Sequence, residues 1–593
     1  MKLPISARVW ALTLLTQLPR LLVTAAPNCP LIGPEFPAPK NLADHPAWKE
    51  ALATITADFE YIDASNITGV DKFSYSVQVF STNPGAPLLW ERYRTSTDLP
   101  ADTTGVKSVD GDTVYRLGSV TKIFTVLAFL AERGDVDWTQ SITKYIPELL
   151  GKTQNATNDG VRYTNWDDIT IGALASQVSG IGRDYGVLGE VTQTEDVPDE
   201  WQNAFPVLAN SSIPPCGAWP LCSRQQFFQG LDIMYPSYPA WQSATYSNIA
   251  YQLLAYALEN MTRKRFVNIL TDRIITPLGL THTYYQNAPE SVGVLPGPNN
   301  DTYWNVNLGD ANPGGNMYAS ANDLSTLGRA ILSSKIIKPA LTRRWLNPVT
   351  YASDFVASVG APWGIRRIQL DKTAQPHRTL SVFTKAGTFR RYTSFITLLR
   401  DFNLGFTIMM AGQISLSNFY GADLIGAALI PAYQTAARDE ADALYSGTYV
   451  SREATGVDTA AASSLTISTS ADKPGLGVGP WVSNGTDMMI VAIQLAAGAT
   501  YTPLQPEVRL YYTQLEANTT AGGKRQAWKA VFEDTGGPAA GQQLWSTDCG
   551  AWVAVTGITY ASLPLDEFVF NFGSDGKVES VENLALRSKL YKV

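Results

Sequence analysis

Apolar residues recur at helical spacing through Ala47–Phe59. Phe73–Phe80 and Leu88–Tyr93 alternate instead, which predicts a strand pair with Asn83-Pro84-Gly85 in the turn. Gly118–Gly134 reads as a long, almost wholly apolar helix stopped by a glycine. Residues 135–340 mix helical stretches with loops. Strand patterning returns at Ser381–Phe383, Tyr392–Leu399 and Phe406–Met410. Strands at both ends with helices between them predict an α/β layout whose ends meet in one sheet. The pattern changes near Ala432–Ala443. After Leu444–Tyr449 come the short runs Ser464–Ser468, Met488–Leu495, Val508–Leu515, Gln526–Phe532, Trp552–Tyr560 and Glu567–Phe572, separated by turn residues. Read as strands, they predict an all-β domain, barrel or sandwich. The predicted organisation is a Pro-rich extended lead-in over 26–49, an α/β domain over 50–434 and a β-rich domain over 435–593.

Composition narrows the class. Hydrophobic residues make up 45% of the 593 and charged residues 17%, enough for sizeable cores and against wholesale disorder. Forty-five basic residues face 53 acidic ones, so the basic excess of a nucleic-acid binder is missing. The three histidines, His45, His282 and His377, are far apart and form no metal-binding pattern. No metal or other cofactor is expected, and no GxSxG elbow occurs.

Residues 1–25 have the form of a secretory signal. Lys2 and Arg8 supply positive charge, Val9–Leu15 an apolar run, and Val23-Thr24-Ala25 small residues before a cut. No later stretch is apolar enough to span a membrane. The expected location is therefore secreted and extracellular. Four cysteines suit that compartment. Cys216 and Cys222 flank a short loop and can close a small ring, which would leave Cys29 and Cys549 as the other pair. Three pairings of four cysteines exist, and spacing alone does not choose among them. Glycosylation sequons stand at Asn66, Asn155, Asn210, Asn260, Asn300, Asn484 and Asn518.

The chemistry concentrates in three short motifs. Ser119-Val120-Thr121-Lys122 opens the apolar helix, so one turn brings Lys122 beside the Ser119 hydroxyl. A lysine buried there sheds its proton near neutral pH and acts as a base. Ser141/Lys144, Ser470/Lys473 and Ser574/Lys577 share the spacing but lie in polar or turn-like contexts. Tyr246-Ser247-Asn248 precedes another apolar helix; its tyrosine is placed to shuttle a proton, and Asn248 to bond both a lysine and a substrate amide. Tyr285-Gln286-Asn287 is a decoy of the same form. Lys385-Ala386-Gly387-Thr388 ends an edge-like strand. Its lysine suits a carboxylate or the tyrosine, and Gly387 admits a close backbone approach. The main-chain N–H groups of Ser119 and Thr388 then suit an oxyanion hole.

These three motifs, in this order, resemble those of the serine β-lactamase and penicillin-binding-protein superfamily, especially its class C, D-alanyl carboxypeptidase and family VIII esterase branch. Ala131–Asp137 with Ile142–Leu149, Ile169–Ile181, Pro277–Leu280 and Pro313–Ser320 look like further family stretches, with Gln177 where histidine is common. The resemblance covers about residues 50–430. It implies an antiparallel sheet flanked by helices plus an all-helical part. Tyr445–Tyr449 and Phe570–Val578 resemble the lipocalin-like β domain appended to many members, a layout shared by fungal secreted β-lactamase-like proteins. Arg391 departs from the glycine of many relatives, and Arg390 with Arg391 reads as a solvated basic pair.

The expected function is a secreted serine hydrolase. It cleaves an ester, lactone or amide of a small-molecule or peptide acyl substrate through a Ser119 acyl-enzyme. An acyltransferase or tailoring enzyme of secondary metabolism and a non-catalytic binding protein of the same fold are the alternatives. Nothing in the pattern fixes an oligomeric state.

Overall fold

The computed structural model describes residues 29–64, 72–186, 190–193, 204–217, 220–370, 378–414, 417–452, 463–497, 505–520, 522–536 and 549–593. The signal-like residues 1–25 and the Asn66 sequon lie outside them. The chain divides into two compact units. One holds Leu52–Arg367 and Ser381–Ala427; the other holds the described residues up to Ala51, Ile368–Leu380 and Ala428–Val593.

The first unit is built on an eight-stranded sheet. Its strands are β1 Phe73–Ser81, β2 Leu88–Arg94, β3 Thr350–Tyr351, β4 Ala357–Val359, β5 Gly364–Gln369, β6 Thr379–Phe389, β7 Tyr392–Leu399 and β8 Leu404–Gly412, in the order β2-β1-β8-β7-β6-β5-β4-β3. Strands from the two ends of the segment meet where β1 pairs antiparallel with β8 over Phe73↔Gly412 to Ser81↔Leu404. Every residue of β1 and β8 is buried, the continuous pattern of a strand covered on both faces.

Helix α1, Thr121–Arg133, follows a single 3₁₀ turn at Gly118–Val120. It is buried on all sides from Thr121 to Leu130, and Gly134 at φ 66° stops it by returning its N–H to the Leu130 carbonyl. Helix α2, Ile249–Thr262, is buried from Ile249 to Leu258. Two buried helices side by side explain why this stretch reads apolar without a clear stripe.

In the second unit an antiparallel sheet runs through β9 Gly447–Val450, β10 Ser464–Ser468, β11 Leu476–Ser483, β12 Pro506–Asn518, β13 Lys524–Asp534, β14 Glu567–Phe572, β15 Val578–Asn583 and β16 Ser588–Lys592. The order is β10-β9-β16-β15-β14-β13-β12-β11, and β10 also pairs with β11. That last pairing closes eight strands into a barrel and removes the open edges. Tyr445, Trp528 and Phe570 interlock inside with ring centroids 5.0–5.8 Å apart.

Two stretches read as strands differ. Met488–Ala497 is a helix, and Trp552–Tyr560 holds the short helix Ala551–Ala554 followed by the two-residue strand Thr559–Tyr560. A continuous apolar run carries no period, and the Met, Leu, Gln and Ala content of Met488–Ala497 favours helix once one side packs. Cys216 is bonded to Cys222 and Cys29 to Cys549. Among the described residues no helix is long and apolar enough to cross a membrane.

Asn155, Asn210, Asn300, Asn484 and Asn518 are exposed. Asn260 is not equivalent to them: it is half-buried, and its Nδ2 donates to the Tyr145 carbonyl at 2.7 Å. The amide nitrogen that a glycan needs is already engaged there.

Candidate active site

The Ser119 turn is fixed from two sides. Leu117 N–H donates to the Met317 carbonyl at 2.8 Å, and Met317 N–H to Thr121 Oγ1 at 3.1 Å. On the other side lies β6. A Cβ on Gly387 would come within 2.0 Å of the Leu117 carbonyl oxygen and 2.7 Å of Ser119 N, and one on Gly118 (φ +49°) within 2.6 Å of Thr388 N. Only glycines let these two backbones touch. Strand β5 begins at Gly364, whose carbonyl accepts from Thr384 Oγ1 at 2.9 Å. Residues 385–388 therefore run past its end with an open edge. The hairpin closes at Phe389↔Tyr392, which makes Thr388↔Thr393 a pair without ladder bonds. Thr388 N–H thus points away from β7, toward the Ser119 turn.

Lys122 is fully buried. Its Nζ lies 3.1 Å from Ser119 Oγ and 2.6 Å from Asn248 Oδ1, and it also bonds the Gly314 carbonyl. Burial lowers its pKa from 10.5 to about 7, with Asp184 opposing and Arg183 reinforcing that shift. Tyr246 OH donates to Ser119 Oγ at 2.6 Å. Two amines and a guanidinium surround the Tyr246 ring: Lys122 and Lys385 Nζ stand 5.0 and 5.4 Å from its centroid, and the Arg183 guanidinium 5.0 Å. Lys385 is buried and donates to the Ala386 carbonyl at 2.7 Å. Burial lowers its pKa to about 8; Tyr246 opposes that shift, and the charge on Lys122 adds to it.

Asn248 sits at the N-cap of α2, a position its residue type favours, yet its side chain makes no cap bond. Nδ2 donates instead to both Asp184 oxygens at 2.9 and 3.1 Å. That pairing fixes the amide and turns Oδ1 to Lys122. Burial raises the Asp184 pKa, while the Asn248 bond and Lys122 pull it back. Gln177, at φ 61°, receives Ser247 N–H on Oε1 at 2.7 Å and so steadies the Tyr246–Asn248 loop.

Ser119, Tyr246, Asn248, Lys385, Gly387 and Thr388 line one cleft of about 530 Å³, with Lys122 buried behind Ser119. The decoys are elsewhere. Lys144 bonds Gln140, Lys473 pairs with Glu507, and Ser574 and Lys577 lie on the surface. The Tyr285 ring packs on Phe266. Arg390 is exposed, as a solvated basic pair requires, whereas Arg391 is half-buried and engaged. Arg391 Nε bonds both Asp301 oxygens at 3.0 Å, and Arg390 bonds Tyr303 OH at 2.6 Å. Sequence reasoning missed Asp184 and the Gly314 carbonyl. The first lies just past the Ile169–Ile181 stretch, and the second is a main-chain atom with no signature of its own.

A family profile described as Beta-lactamase matches residues 85–430, and one described as Beta-lactamase-like-like, C-terminal domain, matches 437–593. A "Beta-lactamase-like protein" of Arthroderma benhamiae is 28% identical over 96% of both chains. A "Probable hydrolase M10" of Phoma sp. is 25% identical over 84% of this chain and 81% of its own. Among solved structures, a β-lactamase/D-alanine carboxypeptidase from Yersinia pestis aligns with 64% of this chain and 98% of its own at 20% identity and a TM-score of 0.45.

Proposed function

The chain belongs to the β-lactamase family, and from that membership and the geometry around Ser119 we propose a secreted serine hydrolase that works through a covalent acyl-enzyme. The observation that carries this reading is the three-way placement of Lys122 Nζ between Ser119 Oγ, Asn248 Oδ1 and the Gly314 carbonyl. A neutral amine has two N–H donors and one lone pair. Asn248 and Gly314 take the donors, so the lone pair faces Ser119.

Ser119 gives its proton to Lys122 while Oγ bonds the substrate carbonyl carbon. The oxyanion gathers on the N–H groups of Ser119 and Thr388. On collapse the carbon–leaving-group bond breaks, and Tyr246 hands its phenolic proton to the leaving group. Water then loses a proton to Tyr246 and attacks the acyl carbon. Lys122 returns its proton to Ser119 as the acid departs. Lys385 remains protonated, facing the Tyr246 ring and a substrate carboxylate.

The signs give a pH profile. Lys122 must be neutral, so kcat/KM rises with pH through about 7. Lys385 must be charged, so it falls again above about 8. A panel of p-nitrophenyl esters, a chromogenic β-lactam and D-alanyl-D-alanine peptides, run across pH on purified protein, tests this. A bell with those limbs is expected for whichever substrate turns over. A flat profile across the range removes both lysines from the mechanism.

Tyr246→Phe is expected to lower turnover by on the order of 10² or more while the fold is retained. In the acylation step the loss should be smallest for the ester with the most acidic leaving group, which needs no proton. Near-native turnover on every substrate would place the shuttle elsewhere.

A further inference from the structure

The cleft continues beyond the reacting atoms along α2. Asn248 and Gln252 share one face of that helix, four residues or about 6 Å apart along its axis, and both line the cleft together with Ile249. Gln252, Tyr256 and Asp310 form a chain. Gln252 Nε2 donates to Tyr256 OH at 3.0 Å, and Tyr256 OH donates to Asp310 Oδ2 at 2.6 Å. Its direction is set, because a carboxylate only accepts and the single phenolic proton must go to it. Gln252 is therefore held with Nε2 on Tyr256 and Oε1 as its remaining acceptor. Gln252 is buried, Asp310 is exposed, and both line the cleft. Arg224, whose charge feels this carboxylate, lies with its guanidinium 4.0 Å over the Tyr256 ring and is engaged by Glu148 at 2.6 and 3.2 Å.

The wall beside these acceptors is apolar and braced. Leu221, Phe227 and Leu308 line it. The Cys216–Cys222 bond closes the loop that carries Leu221. That loop lies against two other cleft segments. The Cys216 carbonyl is 2.1 Å from where a Cβ on Gly186 (φ +61°) would sit, just past Asp184, and Leu221 Cδ1 is 3.2 Å from where one on Gly309 would sit, beside Asp310.

We propose that this extension is the acyl subsite and that it selects an acyl group with an apolar body ending in an amine. The proposal rests on the hydrolase reading above. Tyr246 serves the leaving group, so the acyl portion runs the other way, past Asn248 toward Gln252. There it meets apolar walls and then the Asp310 carboxylate and the Gln252 amide oxygen, a negative charge and an acceptor that together suit an ammonium. No bond is made or broken at this subsite.

The test uses p-nitrophenyl esters of fatty acyl chains of graded length, each unsubstituted, ω-amino or ω-carboxy, with the intact protein. Ser119 is first titrated with a fluorophosphonate, so that every rate refers to competent sites. At the best chain length the amine should be favoured over the methyl end by about tenfold or more in kcat/KM, with the carboxylate end worst. Asp310→Asn should collapse the amine-to-methyl ratio to about unity. Asp310→Lys should invert it toward the ω-carboxy ester, a reversal that a merely structural role does not produce. A preparation whose titrated aliquot labels at Ser119 but whose unlabelled protein shows no amine preference at any length, or a preference unchanged in Asp310→Asn, overturns the subsite alone. Protein that never labels at Ser119 overturns the hydrolase reading and the subsite with it.

Discussion

Ser119→Ala is expected to abolish turnover of every substrate the wild type accepts, leaving at most the background supplied by the binding cleft. Loss of a nucleophile in enzymes of this kind costs on the order of 10³ to 10⁶ in kcat. The fold should survive. Ser119 is only partly buried, and its turn is pinned by main-chain bonds at Leu117 and Met317 and by the glycine contacts with β6, none of which involves Oγ. What Oγ loses is its bonds to Lys122 and Tyr246; Tyr246 lines the cleft, where water can replace Oγ, and Lys122 keeps its bonds to Asn248 Oδ1 and the Gly314 carbonyl. Measured by initial rates and a thermal melt on matched protein, near-zero rate with a near-native melting curve is the expected pair. Residual turnover within about tenfold of wild type would point to another nucleophile.

Lys122→Met should cost about 10² to 10⁴ in kcat/KM, the usual worth of a general base. It should also remove the limb near pH 7 that Lys122 supplies. Methionine nearly matches the length of the lysine stem and fits a site with no exposure. Two effects on stability oppose each other. Asn248 Oδ1 and the Gly314 carbonyl lose their donor, a penalty of about 1–3 kcal/mol for each group left dry. The folded state no longer has to bury an amine whose protonated form burial disfavours. The net change in stability should therefore be small beside the change in rate. Stopped-flow acylation over a pH series checks this; a variant that keeps its rate and its acid limb would exonerate Lys122.

The candidate site was legible for a particular reason. Each motif couples a side chain to an element the apolar pattern reveals: Ser119 and Lys122 to the head of a buried helix, Tyr246 and Asn248 to the entry of another, and Lys385 and Gly387 to a strand end. The structure brings them to one cleft, with Lys122 buried behind Ser119. The supports were not legible. Asp184, which turns the Asn248 amide, meets it across 64 residues of sequence, and the Gly314 carbonyl meets Lys122 across 192. Gly387 read as a place for a substrate backbone, but the chain that presses closest on it is the protein's own, at Leu117 and Ser119.

The fold divides in the same way. Strands such as Tyr392–Leu399, rich in aromatic and β-branched residues, announced themselves, whereas Met488–Ala497 did not, because its uniform apolarity leaves the period undefined until tertiary packing chooses one. Closure of the barrel through β10 and β11 depends on pairing between strands, which no local pattern encodes.

The central claim, a covalent acyl-enzyme on Ser119, is tested most directly by mass spectrometry of the intact protein treated with a fluorophosphonate or a β-lactam, followed by peptide mapping of the adduct. One equivalent of added mass, confined to the peptide containing Ser119 and absent from Ser119→Ala, is the predicted result. An unmodified protein, or an adduct that persists in Ser119→Ala, would contradict it.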